Sequence, residues 1–155
     1  MNSDSPISAS TTNIGALVCQ LRNEIVARFE SELSRNGFDV NFTQYLALKR
    51  LALQGPLTAT ELSRSLRHDA GALTRILDRL QKKGYLVREP HAHDRRALQI
   101  KLTEAGRAAW SAMRACGDTA HEQIQVGINA DERAQFVDVL GRILETLRGS
   151  QFGAE

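Results

Sequence analysis

Residues 57–102, LTATELSRSLRHDAGALTRILDRLQKKGYLVREPHAHDRRALQIKL, pass from one helical periodicity to a second and then to a strand alternation. Thr58 precedes Glu61 by three residues, the spacing at which two side chains each satisfy a backbone amide left open at a helix start, and Leu57 and Leu62 flank it as an apolar staple. A helix is therefore expected to begin near Ala59. Leu62 and Leu66 give it a narrow apolar stripe, and it should end about two turns later, at Arg67 and His68. Asp69 is placed to cap a second helix over about residues 69–83, with Leu73, Ile76, Leu77 and Leu80 facing inward and Gly71, Arg75, Asp78 and Lys82 facing outward. Gly84 falls just past its end.

Beyond Gly84 the period becomes two. Leu98, Ile100 and Leu102 alternate with Gln99 and Lys101, and residues 85–89 supply the pairing strand. The connection over residues 90–97 is polar and holds His91, His93, Asp94, Arg95 and Arg96. Two helices joined by a sharp turn and followed by a hairpin make a helix-turn-helix with a wing. In that arrangement the second helix lies in the major groove with its first turns at the base edges; small residues at Gly71 and Ala72 permit close backbone approach, and the helix N-terminus favours a phosphate. An arginine at the hairpin tip suits a narrow minor groove, whose negative potential a guanidinium meets better than an ammonium. The candidate DNA-binding residues are Thr58, Thr60, Asp69, Gly71, Ala72, Thr74, Arg75, Arg79, Asp94, Arg95 and Arg96, with Asp69 chiefly a cap.

Charge follows the same boundary. From Thr58 to Thr103 there are ten basic and five acidic residues, so the segment is net +5 in a chain of net +2, leaving the remainder at −3. Such asymmetry is expected of a module that binds a polyanion.

Leu57-Thr58 opening the first helix, Leu73-Thr74-Arg75 and Asp78-Arg79-Leu80 on the second, Gly84-Tyr85-Leu86-Val87-Arg88 entering the hairpin, Asp94-Arg95-Arg96 in its tip and Leu102-Thr103-Glu104-Ala105-Gly106 leaving it together resemble the MarR family of winged helix-turn-helix transcription regulators. Upstream, Asn41-Phe42-Thr43-Gln44-Tyr45 is similar to the family's helix-opening motif, with asparagine where threonine is more usual. The resemblance spans about residues 14–147. It implies a mainly α fold with a small β-hairpin wing, in which N- and C-terminal dimerisation helices flank the winged core. It also implies that Arg96 enters the minor groove oriented by Asp94, with Arg95 a second tip candidate, and that Thr74 and Arg75 touch phosphates or base edges. His91 and His93 depart from the pattern; near-neutral histidines there would add pH-dependent phosphate contacts.

Outside the winged region, residues 1–12 are rich in serine, threonine and asparagine, lack a basic start and an apolar run, and read as a disordered tail rather than a signal peptide. No apolar run approaches membrane-spanning length, so the expected location is the cytoplasm. Ile14, Leu17, Val18, Leu21 and Ile25 form one helical stripe within residues 13–37, and Phe136, Val139, Leu140, Ile143, Leu144 and Leu147 form another near the C-terminus. Residues 103–127 read as an alanine-rich helix with Ala105, Ala108, Ala109, Ala112, Met113 and Cys116 as packing contacts. Neither terminal stripe is contiguous with the winged core at residues 38–102. Packing the helices of residues 13–37 and 103–149 between two copies buries all three stripes in a two-fold dimer; residues 150–155 form a short tail. The dyad then calls for a pseudo-palindromic operator with half-sites about 10 base pairs apart.

Cys19 and Cys116 are far apart in a chain without secretory features, so both are expected as free, buried thiols. The alternative is a peroxide sensor, Cys19 lying somewhat like the reactive cysteine of the family's hydroperoxide-sensing branch, with Cys116 as resolving partner; that branch surrounds its cysteine with tyrosines, and this chain has only Tyr45 and Tyr85. The pattern of His91, His93 and Asp94 lacks metal-ligand spacing, and neither an activated nucleophile nor a glycine-rich phosphate loop is present, so no metal, cofactor or enzymatic activity is expected. The family implies a repressor released from double-stranded DNA by a small aromatic or phenolic acid. Phe38, Phe42, Tyr45, Trp110 and Met113 are the apolar candidates for the ligand site, with Arg22 or Arg28 as carboxylate partner. A non-sensing architectural DNA-binding protein, or a winged protein-interaction module, is the rival reading.

Overall fold

The structure, a computed structural model, describes residues 13–90 and 97–149. Its elements run α1 (Ile14–Arg35), α2 (Phe42–Gln54), β1 (Leu57–Thr58), α3 (Ala59–Leu66), α4 (Ala70–Lys82), β2 (Leu86–Pro90), β3 (Leu98–Leu102), α5 (Glu104–Ile124) and α6 (Ala130–Gly149). The fold is mainly helical with one small antiparallel sheet, and it divides into two compact units at Ala120 and His121.

Most helix ends in the first unit are set by side chains close in sequence. The Asn13 side chain accepts from the Ala16 amide to start α1, and Gly37, with φ of 80°, lets the chain turn out of it while Phe38 N–H donates to Leu33 O. Asn41 and Gln44 form a reciprocal capping box at α2, as Thr58 and Glu61 do at α3. The expected start at Ala59 and cap at Asp69 are both found, and Gly84, with φ of 75°, closes α4. The pairing strand lies one residue later than expected, at Leu86–Pro90.

The sheet has three strands in the order β1-β3-β2, so Leu57 and Thr58 are a strand as well as a helix entry. Leu57 lies opposite Ile100, and on the other side of β3 Arg88 lies opposite Ile100 and Pro90 opposite Leu98. The three leucine and isoleucine positions of β3 alternate as expected, but their cover is uneven. Ile100 and Leu102 are buried, but Leu98 is 54% exposed, because β1 reaches only Gln99 and Ile100 and leaves Leu98 beside an exposed proline.

Leu33, Leu48, Leu62, Leu73, Leu77, Leu80, Leu86, Ile100 and Met113 are fully buried and make the centre of one core. It extends past residues 38–102: Phe29 and Leu33 from α1 and Met113, Cys116 and Ala120 from α5 belong to it, so α1 is contiguous with the winged core through its C-terminal half. On α5 the buried line is Gly106, Met113, Cys116 and Ala120, whereas Ala105, Ala108 and Ala112, expected as contacts, are exposed. Helical spacing permits either face; the larger side chains take the inward one. The N-terminal half of α1 remains open, with Ile14, Leu17, Val18 and Leu21 exposed, and Cys19, expected to be buried, is exposed with them. In the second unit α6 has no buried residue, and Phe136, Val137, Val139, Leu144 and Leu147 are exposed.

The base of the wing is clamped to α5. Thr103 N–H donates to Tyr85 O at 3.1 Å, its hydroxyl donates to Gly84 O at 2.6 Å, and the same hydroxyl oxygen accepts from Gly106 N–H at 2.9 Å. A Cβ on Gly106 would lie 1.9 Å from Tyr85 O, inside any contact distance and against backbone rather than a movable side chain. Gly106→Ala is therefore expected to destabilise the protein by about 3 kcal/mol or more, beyond the usual cost of overpacking, as read from urea denaturation. A loss under about 1 kcal/mol would show that this junction is free to open.

Candidate nucleic-acid interface

The apolar line Leu73, Leu77 and Leu80 is buried and seats α4 on the core with Ile76 half-buried at its margin, leaving Gly71, Thr74, Arg75, Asp78, Arg79 and Lys82 exposed. Burial of one face thus fixes which side chains face outward. The helix start is equally defined: Asp69 Oδ1 accepts from Ala72 N–H at 2.9 Å, and that hydrogen bond holds its carboxyl below the usual carboxylate range.

Several expected contact residues have local tasks. The Thr58 hydroxyl belongs to the α3 capping box and donates to Glu61 Oε2 at 2.8 Å. Thr74 Oγ1 donates to Ala70 O at 2.8 Å, which spends its proton on its own helix. A Cβ on Gly71 would lie 3.3 Å from Asp69 Oδ1, so the glycine also clears the path of the cap. Thr60, Arg75 and Arg79 are exposed, and Ala72 is half-buried. The turn between α3 and α4 is held by Ser63 Oγ donating to His68 O at 2.6 Å, with Arg67 in the left-handed region at φ of 53°. Asp94, Arg95 and Arg96, together with His91 and His93, lie outside the described residues.

The structure adds partners that sequence spacing did not reveal. Arg88 of β2 donates from Nη2 to Asp78 Oδ1 and from Nη1 to Gln81 Oε1, each at 2.7 Å. Lys83 hydrogen-bonds to Asp39, and this bond with the lysine's charge lowers the Asp39 carboxyl's pKa. Asp39, Asn41, Gln44, Arg79, Lys82 and Lys83 line a cavity of about 540 Å³ between the start of α2 and α4, and a smaller one of about 200 Å³ adjoins Ala72, Arg75 and Ile76. Opposite charges on either side of the Gly84 turn were the one signal in sequence for the Arg88 pair; nothing local pointed to Asp39.

The residues expected at a ligand site are placed as follows in the single chain. Phe42 and Tyr45 pack on Phe29 with ring centroids 5.6 and 4.4 Å away, Trp110 lies 5.2 Å from Tyr45, and Met113 is fully buried. Phe29, Tyr45 and Met113 belong to the buried core, and Phe42 and Trp110 are partly buried against it. Burial raises the pKa of the Tyr45 hydroxyl, which keeps its proton. Phe38 borders a separate cavity with Glu30 and Asp39, an acidic lining unsuited to a carboxylate, and Arg22 and Arg28 are exposed on α1. Among the described residues there is no cluster of side chains able to hold a metal, and no helix is long and apolar enough to cross a membrane.

A short capped helix, a second helix with a cationic outer face and an antiparallel hairpin clamped behind it define a winged helix-turn-helix regulator. The MarR family model matches residues 38–97. The multiple antibiotic resistance protein MarR of Salmonella typhimurium is 33% identical over 129 residues, covering 83% of this chain and 86% of the relative. A mutant MarR from Escherichia coli, solved in complex with operator DNA, superposes with a TM-score of 0.78 at 30% identity over 84% of this chain and 93% of that one. BpsR of Bordetella bronchiseptica, whose DNA binding is regulated by 6-hydroxynicotinic acid, shares the fold with a TM-score of 0.76 at 22% identity, covering 90% and 97% of the two chains. The chain belongs to the MarR family of transcriptional regulators.

The Asp69 cap has a pH signature. A carboxyl whose pKa is lowered by folding contributes stability that is full above its unfolded value, about 3.9, and is lost as pH falls through the folded value. Asp69→Ala should lower the melting temperature at neutral pH, and the gap to wild type should shrink as the pH is taken below about 4. An equal gap at neutral and acid pH would separate the cap from the carboxylate's charge.

Proposed function

We propose that this protein is a homodimeric, sequence-specific DNA-binding repressor in which α4 reads the major groove, the arginine-bearing wing enters the minor groove, and a small aromatic acid releases the complex. The observation that carries the DNA-binding reading is the outward face of α4, where Arg75, Arg79 and Lys82 are exposed along a helix whose N-terminus is capped by Asp69. The MarR relative solved with operator DNA supports it. The stripes on α1 and α6 that lack cover in a single chain are the surfaces a second copy would bury, and no membrane partner is invoked.

For the effector, the cationic cavity between α2 and α4 replaces the aromatic cluster. Its lining brings Arg79, Lys82 and Lys83 together, and Asp39 offsets one of those charges. An organic anion bound there would touch the recognition helix directly. Release then requires only that the anion favour an α4 position in which the two helices of the dimer no longer match the grooves. BpsR, regulated by 6-hydroxynicotinic acid, offers a precedent for an aromatic acid on this fold.

The thiol-switch reading is less well supported. Cys116 is buried, and desolvation raises its pKa, which disfavours the thiolate that would attack or resolve. Cys19 is exposed on the open half of α1, so iodoacetamide at neutral pH should modify Cys19 well before Cys116 in dilute, monomeric protein and more slowly once a dimer forms.

From a randomised duplex library the wild-type protein is expected to enrich an inverted repeat with half-sites about 10 base pairs apart. Arg96→Ala should weaken binding to that repeat by about 1–3 kcal/mol in a fluorescence-anisotropy titration. Benzoic and hydroxybenzoic acids should lower the affinity, and Lys83→Gln should raise the acid concentration required. Equal affinity for the repeat and for random duplex would favour the architectural reading; an affinity indifferent to every acid would remove the effector.

A further inference from the structure

On α4 the outward line is Gly71, Arg75, Asp78 and Lys82, residues spaced four, three and four apart. A carboxylate in the middle of a line that faces a polyanion is a local fault: it repels the phosphates that its neighbours attract. Asp78 nonetheless stands there, with its side chain 57% exposed.

The sheet supplies the correction. Arg88 lies on β2 opposite Ile100, on the face of the hairpin that packs towards α4, one strand step beyond the buried Leu86. At that position the apolar contact ends and the guanidinium reaches back to the helix, ten residues from Asp78 and seven from Gln81. Its side chain is only 25% exposed, and two of its nitrogens are engaged at 2.7 Å. Gln81 accepts the second hydrogen bond, so the fork cannot swing outward while Asp78 is held. Among the described residues Asp78 has no other ion pair, although Arg75 and Lys82 flank it on the same helix.

We infer that Arg88, reaching from the first strand of the wing, masks Asp78 on the DNA-facing side of α4, with Gln81 fixing its orientation, and so sets how strongly that helix attracts a phosphate backbone. Arg88 is a positioning residue, acting through Asp78 without touching DNA. The inference rests on the proposed DNA-binding reading.

The test compares Arg88→Ala, Asp78→Asn and the double variant with wild type, on the duplex that wild type enriches and on random duplex, across a salt series. Arg88→Ala should weaken both duplexes about tenfold while the slope of log affinity against log salt changes by clearly less than one, because no phosphate contact is lost; a slope shallower by a full unit would mean that Arg88 itself contacts a phosphate. Asp78→Asn should gain far more in the Arg88→Ala background, where the carboxylate is unmasked, than in the wild-type background. Equal gains in the two backgrounds would mean that only net charge matters, and no gain in the Arg88→Ala background would mean that Arg88 touches DNA or merely supports the fold; either result overturns the inference. Should Arg88→Ala fail to fold, Arg88→Gln takes its place. A tenfold gain from Asp78→Asn while Arg88 is present would by itself refute masking. If wild type enriches no sequence at all, the DNA-binding reading fails instead.

Discussion

The close approach of α5 to the turn at Gly84 and Tyr85 is the constraint on which the DNA-reading geometry depends. A backbone carbonyl sits where the Cβ of residue 106 would be, and Thr103 ties the same turn through both its amide and its hydroxyl. These contacts join three things that must keep a fixed relation: the C-terminal end of α4, the root of the hairpin and the long helix behind them. A rigid root matters for the proposed docking, in which the wing and α4 would meet different grooves of one duplex and a small error at the root would be magnified at both ends. Packing at Leu80, Leu86 and Leu102, all buried, supplies the apolar part of the same junction.

Charge on the recognition helix is arranged by neighbours rather than by composition alone. Lys83 is drawn towards Asp39 and Asp78 towards Arg88, so a cation capping α4 and an anion on it are each occupied by a residue from elsewhere in the chain. What remains outward is Arg75, Arg79 and Lys82, from the middle of α4 to its C-terminal turn. Pairs of this kind contribute little to stability when exposed, since solvent screens them. Their consequence lies in the field presented to a partner, which depends on which charges are left open.

The parts of this architecture legible in sequence are those whose causes are local. Thr58 with Glu61, Asp69 and Gly84 act within one helical turn, so spacing revealed them, and the buried line of Leu73, Leu77 and Leu80 followed from a period that one face of a helix enforces. What sequence missed is set across distance. The two-residue strand β1 exists only because β3 lies beside it, the exposure of Leu98 follows from where β1 stops, and the Lys83–Asp39 pair joins residues 44 apart in sequence. The aromatic contacts are non-local too: Phe29 on α1 packs against Phe42 and Tyr45 on α2, and Trp110 on α5 against Tyr45. On α5 the alanines group with Met113 and Cys116 as expected contacts, and in the single chain the buried face is the one that carries Met113 and Cys116.

The open apolar stripes and the one-sided reading head are parts of one physical problem. A single recognition helix of thirteen residues presents only a few side chains to a groove, too few to distinguish a site from the competing sequence around it. At the same time α1 leaves Ile14, Leu17, Val18 and Leu21 in water, and α6 leaves Phe136, Val137 and Leu147 there, an arrangement that costs hydrophobic free energy for as long as the chain is alone. Pairing two copies through such surfaces relieves the second difficulty and, because the pairing has a dyad, removes the first by doubling the contacts at a fixed spacing. The spacing then becomes a property of the interface rather than of either reading head, so any ligand that shifts α4 against its own body by even a fraction of the groove width acts on both half-sites at once.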